Sequence, residues 1–491
     1  MTYVLAIDQG TTGSTCLVVA DDGRVVGRAS REITQHYPTP GWVEHDPHEI
    51  IVRTFEAARE AIANAGVIPV AVGITNQRET VVVWDRRTGR AVHRAIVWQD
   101  RRTSDRCAQL APHAEDIARR TGLVIDPYFS ATKIEWLLAQ PEIAARAERG
   151  ELAAGTVDSW LIWHLTGGAV HATDPTNASR TMLWDIDERE WSEPLLKLFS
   201  VPRALLPEVR RSSGMFGTTT KESLGHSLPI LGVAGDQQAA LFGNGGWNAG
   251  GSKNTYGTGA FLLLNTGDRR PASGQGLLTT IACDSTGGAA YALEAAIFVA
   301  GAAVQWLRDG LKIIASAGET EALAKSLLSN DGVYFVPALV GLGAPDWEPH
   351  ARGTIVGLTR GTTQAHFARA ALEAMAYGTA DVLSGMREKG QVPLDRLRVD
   401  GGATGNNWLM QFQADVLGVP VERPDFIETT ALGAAGLAGI AVGVWKDADA
   451  FIAARRFTRF VPGEGQATAR EGHVGWRRAV RTALSWARDR S

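Results

Sequence analysis

Apolar and polar positions follow one another in blocks along the chain, and the first blocks set the pattern. Tyr3 to Ile7 is an apolar run, Gln9-Gly10-Thr11-Thr12-Gly13-Ser14 is polar, and Cys16 to Ala20 is apolar again. Two apolar runs around a glycine-containing polar turn predict a β-hairpin, followed by a second turn at Asp22-Gly23. The same order returns near mid-chain, where Asn254-Thr255-Tyr256 leads through Gly257-Thr258-Gly259 into Ala260 to Leu264. Two similar openings predict a duplicated architecture. Between them, the run from Gly243 to Gly251 is the most glycine-dense stretch of the chain. It predicts a junction near residue 250, with one domain over residues 1–250 and another over 251–491.

Helical spacing of apolar residues marks Pro47 to Ala65, Ser130 to Ala139, Thr363 to Arg387 and Asn406 to Leu417. Helices interspersed with strands predict an α/β fold. Ala431 to Trp445 is weakly polar but shorter than the ~20 residues that span a bilayer. Gly433, Gly436, Gly439 and Gly443 interrupt it, so it reads as a buried helix that packs closely.

Composition narrows the function classes. A chain of 491 residues is too long for a single hydrophobic core. Its net charge of -4 supplies no broad basic field, which argues against a nucleic-acid partner and against an anionic membrane surface, and no stretch long enough to span a bilayer predicts no membrane insertion. Three cysteines, Cys16, Cys107 and Cys283, lie far apart without zinc-site spacing. Together with an N-terminus lacking a basic leader, they predict a cytoplasmic protein.

Several strand-end residues have the chemistry of a catalytic site. A turn of Gly, Thr and Ser between strands presents backbone N–H groups and hydroxyls to a phosphate, and Thr11, Thr12, Gly13 and Thr258 are the candidates. Each turn alone reads better as a plain hairpin turn, and two such turns opening two halves shift the balance toward phosphate. Asp8, at the end of the first strand, suits a magnesium ion held through water, or a turn cap. Asp236 follows the apolar run Pro229 to Ala234 and suits a general base for a substrate hydroxyl, or an Asx turn. Thr75-Asn76-Gln77-Arg78-Glu79-Thr80 places Arg78 beside Glu79, a donor and an acceptor for vicinal hydroxyls, or a surface ion pair. Trp98 and Tyr128 offer an apolar wall. Leu397 to Asn407 reads strand, Gly401-Gly402 turn, helix, where a ligand approaches the backbone closely. No Gly-x-x-x-x-Gly-Lys-Ser/Thr loop and no Gly-x-Gly-x-x-Gly opening a helix occurs, so the P-loop and Rossmann readings are poor.

With these residues stand longer motifs: Asp8-Gln9-Gly10-Thr11-Thr12, Gly41-Trp42-Val43-Glu44-His45-Asp46-Pro47, Gly73 to Thr80, Gly122 to Ser130, Gly235 to Gly243, Lys253 to Gly259, Gly341 to Pro345 and Asp400-Gly401-Gly402. Nearly end to end, the chain resembles the FGGY carbohydrate kinases, and among them the members that phosphorylate glycerol. The resemblance implies the two-domain, ribonuclease H-like fold of actin, hexokinase and the heat-shock ATPases, with an interdomain active-site cleft. It implies ATP as co-substrate, Mg2+, and glycerol phosphorylated to sn-glycerol 3-phosphate. Its glycerol pocket falls on Arg78, Glu79, Tyr128, Asp236 and Gln237, with Trp98 and Phe261 as the apolar side and Asp236 as base. Its nucleotide contacts fall on Thr11, Thr12, Gly13, Thr258, Gly301, Gln305, Gly402 and Asn406, with Asp8 and Asp236 near the magnesium. It further implies a homo-oligomer, dimer or tetramer. Gly13 and Thr15 stand where a Ser and an Arg are frequent in the family, which predicts altered nucleotide affinity. The rivals are a kinase for another polyol or ketose, and a non-catalytic ATP-driven binding module on the same fold.

Overall fold

The computed structural model describes residues 1–272, 274 and 276–489. The chain forms two compact units, and neither is continuous in sequence. The first comprises Met1–Asn248, Thr279–Tyr291 and Thr429–Arg455; the second comprises Ala249–Leu278, Ala292–Glu428 and Arg456–Ser491.

The first unit is built on a six-stranded sheet. In spatial order its strands are Ser213–Thr218, Pro229–Gly235, Ala71–Asn76, Tyr3–Gln9, Gly13–Ala20 and Val25–Glu32. The three central strands are parallel, and the flanking pairs are antiparallel. Their cores are continuous apolar runs, as both-face burial requires: Val4 to Ile7 and Val233 to Ala234 are fully buried. One parity of side chains, including Leu5, Ile7, Val72 and Ile74, joins a core with helix Pro47–Ala65. The helix is bounded as its sequence dictates. The Asp46 side chain accepts from the His48 and Glu49 N–H groups, Pro47 opens the first turn, and Gly66 closes the last in the left-handed region at φ 66°. The opposite parity faces helix Thr429–Val442, which lies so close that a Cβ on Gly73 would stand 2.1 Å from the Ala434 carbonyl oxygen.

The second unit repeats the central motif. Ser252–Tyr256 pairs antiparallel with Ala260–Gly267 and parallel with Leu397–Asp400, as Tyr3–Gln9 pairs with Gly13–Ala20 and Ala71–Asn76. Val421–Pro424 and Phe457–Phe460 extend the sheet on one side, and residues 292–297 of the Ala289–Ile297 strand extend it on the other. Helices Gln364–Gly390, Asn407–Leu417 and Gln466–Arg488 contribute to its apolar core.

The first hairpin departs from the sequence expectation in one respect. Its strands run to Gln9 and resume at Gly13, so the turn is Gly10 to Thr12 rather than the whole polar run. Polar Ser14 is buried within the ladder because its hydroxyl finds Thr54 Oγ1 at 2.7 Å.

Candidate active site

Register brings the first unit's candidates into a row. Asp8 lies opposite Thr75, and Thr75 lies opposite Ala234; one residue on, Gln9, Asn76 and Gly235 are aligned. All are at the carboxyl ends of parallel strands, the edge at which α/β sheets bind ligands. Asp236 follows immediately as the first residue of helix Asp236–Gly243. Its Oδ1 forms an ion pair with Arg78, 3.1 Å from Nε, and accepts the Gln237 N–H at 2.7 Å. Its Oδ2 has no partner among the described residues, and the side chain is 32% exposed. A carboxylate with one oxygen clamped and the other open is oriented to accept a proton from a molecule in the open space.

Arg78 and Glu79 are both buried rather than forming the surface ion pair that the sequence also allowed. Arg78 lies across Gly235, where a Cβ would stand 2.7 Å from its Cγ and Cδ, and its Nη1 donates to Gln238 Oε1 at 3.2 Å. Glu79 sits at φ 61°, a conformation that costs a non-glycine residue energy, in a tight turn closed by the Thr80 N–H on the Arg78 carbonyl at 2.7 Å. Arg180, fully buried, donates from Nε to Glu79 Oε1 at 2.7 Å, and Ser130 Oγ donates to the Glu79 carbonyl at 3.1 Å. Tyr128 packs edge-on against Trp98, with centroids 5.5 Å apart. Beneath them the buried Lys133 donates to the Tyr128 carbonyl at 2.9 Å; burial holds its ammonium down to about 7, while Glu79, Asp100 and Asp126 pull the other way.

Arg180 and Lys133 were not singled out from the sequence, since each is an isolated charge with no motif around it. Thr176 was also missed. Its hydroxyl accepts the Gly235 N–H at 2.8 Å and donates to Asp174 Oδ2 at 2.7 Å, anchoring the strand end before Asp236.

In the phosphate-turn candidate, the Gly10 N–H closes onto the Gly13 carbonyl at 2.8 Å. Thr11 is half-buried and accepts the Trp98 indole N–H at 2.9 Å, while Thr12 is exposed. Gly13 has its own steric reason: a Cβ there would stand 2.4 Å from the Arg31 carbonyl oxygen. Thr15 is paired with Ser30 Oγ at 3.0 Å. The strand that carries Asp8 and the one that precedes Asp236 lie two sheet spacings apart, roughly 9–10 Å between backbones. Among the described residues no three His, Cys, Asp or Glu side chains converge as a metal cage.

The second unit holds a separate cavity of about 570 Å3. Thr258, Gly301, Gln305, Gly402 and Asn406 all line it, joined by Arg308, Thr320 and Glu321, which the sequence reading passed over. The Gly257-Thr258 turn is tied to the start of helix Gly301–Gln305: the Gly301 N–H donates to Gly257 O at 3.0 Å and the Ala302 N–H to Thr258 O, also at 3.0 Å. Gly401, at φ 91°, leaves no room for a Cβ, which would stand 2.4 Å from the Tyr256 carbonyl oxygen. Around Gly402 and Gly405 nothing lies within 4 Å of where a Cβ would be, so a flat ligand can lie against the backbone. Asn406 caps helix Asn407–Leu417, its Oδ1 accepting the Leu409 N–H at 2.9 Å, and its amide reaches Thr320 Oγ1 at 3.3 Å. Phe261 belongs to this unit, in strand Ala260–Gly267, apart in sequence from the other six glycerol-pocket candidates, which belong to the first unit.

Residues 3–243 match the N-terminal domain of the FGGY family of carbohydrate kinases, and residues 252–442 match its C-terminal domain. The chain is 54% identical to glycerol kinase 2 of Thermotoga maritima and 56% identical to a glycerol kinase of Aromatoleum aromaticum, in each case over 99% of both chains. Among solved structures it is similar to Plasmodium falciparum glycerol kinase with ADP, at a TM-score of 0.94 and 36% identity over 99% of this chain and 98% of that one.

Proposed function

The chain belongs to the FGGY family of carbohydrate kinases, and from that premise we propose that it transfers the γ-phosphoryl group of ATP to a primary hydroxyl of glycerol, giving sn-glycerol 3-phosphate and ADP. The observation that carries the chemistry is Asp236, with Oδ1 held by Arg78 and Gln237 and Oδ2 open at the strand-end row. Oδ2 takes the hydroxyl proton as the oxygen attacks the γ-phosphorus; the new O–P bond forms while the bond to the β,γ-bridging oxygen breaks and ADP leaves. Arg78 and Glu79 supply a donor and an acceptor for the neighbouring hydroxyls, and Trp98 and Tyr128 lie against the carbon chain. Arg180 keeps the Glu79 carboxylate in place. The Gly10–Thr12 turn offers hydroxyls and N–H groups to phosphate oxygens, and in the second unit the open backbone at Gly402 and Gly405 suits a flat ring system. Asp8 and Asp236 would hold Mg2+ through water, where the ion offsets phosphate charge. The setting in this reading is cytoplasmic; among the described residues no helix is long and apolar enough to cross a membrane.

Buried charged groups that bind hydroxyls discriminate strongly against ligands that leave them unpaired. In a coupled ADP-release assay over glycerol, erythritol, xylulose and ribulose, glycerol is therefore expected to give the highest kcat/KM. A higher value for one of the others would overturn the substrate while leaving the kinase. No alcohol-dependent ADP release at all would overturn both.

A further inference from the structure

Trp98 does more in this geometry than form an apolar wall, because it begins two hydrogen-bonded paths that both end on Thr11. The short path is direct: the indole N–H donates to Thr11 Oγ1 at 2.9 Å. The long path begins at the Trp98 backbone, whose N–H donates to Thr80 Oγ1 at 3.2 Å. The Thr80 hydroxyl then donates to Gln77 Oε1 at 2.9 Å. Gln77 Nε2 donates to Gln9 Oε1 at 3.0 Å and to the Gly10 carbonyl at 3.2 Å, and also faces His45 Nδ1 at 3.4 Å. His45 Nε2 meets Gln35 Oε1 at 2.8 Å, and Gln35 Nε2 donates to the Thr11 carbonyl at 2.8 Å.

The polarity of this path is determined throughout. Gln35 Nε2 faces two carbonyls, of Thr11 and Ile33, so its oxygen must be the atom facing His45. His45 is then protonated at Nε2, and its bare Nδ1 faces the Gln77 nitrogen at 3.4 Å, sharing the two amide hydrogens with Gln9 Oε1 and the Gly10 carbonyl. Burial, which pushes the His45 imidazole down to about 4, agrees with the neutral ring that this pattern requires. Both oxygens of Thr11 are thus acceptors within the protein. A hydroxyl carries one proton, and among the described residues that of Thr11 is donated to no acceptor.

We propose that Trp98 is a positioning residue for the nucleotide's phosphates: with the relay through Thr80, Gln77, His45 and Gln35 it fixes the Gly10–Thr12 turn and leaves the Thr11 hydroxyl proton for an anionic oxygen. The inference rests on the reading of that turn as a phosphate site. It makes one residue serve both substrates, and the two services are separable, because phenylalanine retains an aromatic face and lacks the indole N–H.

The test is steady-state kinetics on the full chain, with both substrates varied, for wild type, Trp98→Phe, Thr11→Val and the double variant. Loss of one hydrogen bond of ordinary strength predicts that Trp98→Phe raises the KM for ATP about threefold to tenfold while the KM for glycerol stays within about twofold. The double variant is expected to be no worse than the poorer single variant, because both changes break the same bond. Gln35→Leu cuts the long path far from the carbon-chain wall and is expected to raise the KM for ATP alone. It keeps the inference testable if Trp98→Phe does not fold. An unchanged KM for ATP with a raised KM for glycerol, or effects that add in the double variant, would overturn the inference while the kinase reading stands. A wild type without glycerol-dependent ADP release would overturn that reading, and the inference with it.

Discussion

At the scale of single residues, the position of Asp236 depends on a side chain that is absent. Gly235 has ordinary extended backbone angles, φ -59° and ψ 151°, so conformational freedom is not why glycine stands there. The reason is steric, since a Cβ would stand 2.7 Å from the Arg78 stem that reaches over it to Asp236. Gly235→Ala is therefore expected to push aside a flexible side chain rather than the backbone. A misplacement of about 1 Å at a reacting group costs on the order of 100-fold in rate. The variant should lose at least tenfold in kcat with its thermal midpoint nearly unchanged; a fall in midpoint with kcat preserved would contradict this role for Arg78. Asp236, Arg78 and Glu79 were legible in the sequence because each ends an apolar run with polar chemistry. Arg180 and Thr176 were not, because what gives them a role is contact with Glu79 and Gly235, and contact across 101 or 59 positions leaves no local signature.

At the scale of elements, the glycines of helix Thr429–Val442 set how closely it approaches the site. A Cβ on Gly433 would stand 1.8 Å from the Ala239 carbonyl oxygen, and one on Gly243 would stand 2.1 Å from the Thr429 carbonyl oxygen. Backbone therefore touches backbone where this helix crosses Asp236–Gly243, the helix that begins with the proposed base. Gly433→Ala cannot be relieved by turning a side chain, and overpacking of this kind costs about 1–3 kcal/mol or more. Chemical denaturation should show at least that loss; a variant as stable as wild type would mean that the crossing is looser than the structure has it. The sequence read this segment as a buried, closely packed helix from its glycines, and read Pro47–Ala65 from the helical spacing of its apolar residues. It overestimated the first turn, because Gln9, Gly13 and Ser14 look like loop residues by type. They pair in the ladder because their strands continue and Thr54 satisfies the Ser14 hydroxyl.

At the scale of the whole molecule, the duplicated hairpins predicted from the apolar blocks are present as two hairpins, each with a parallel neighbour strand. The discontinuity of the units was not legible. Thr279–Tyr291 and Thr429–Arg455 belong with the first unit through packing on its strands and helices, which composition does not reveal. Asp236, Arg78, Glu79 and the Gly10–Thr12 turn all fall in that unit, and its strand-end register aligns the strands that carry or precede them. The central claim is that this alignment makes Asp236 the general base of glycerol phosphorylation. Asp236→Asn tests it directly: the amide keeps size and hydrogen bonding but cannot take the hydroxyl proton. Glycerol-dependent turnover of the folded variant, its integrity checked by circular dichroism, should fall by about 100-fold to 10,000-fold while glycerol binding weakens far less. Asparagine serves as a cap about as well as aspartate. Turnover within a few-fold of wild type would therefore reduce Asp236 to a turn-forming residue and contradict the account.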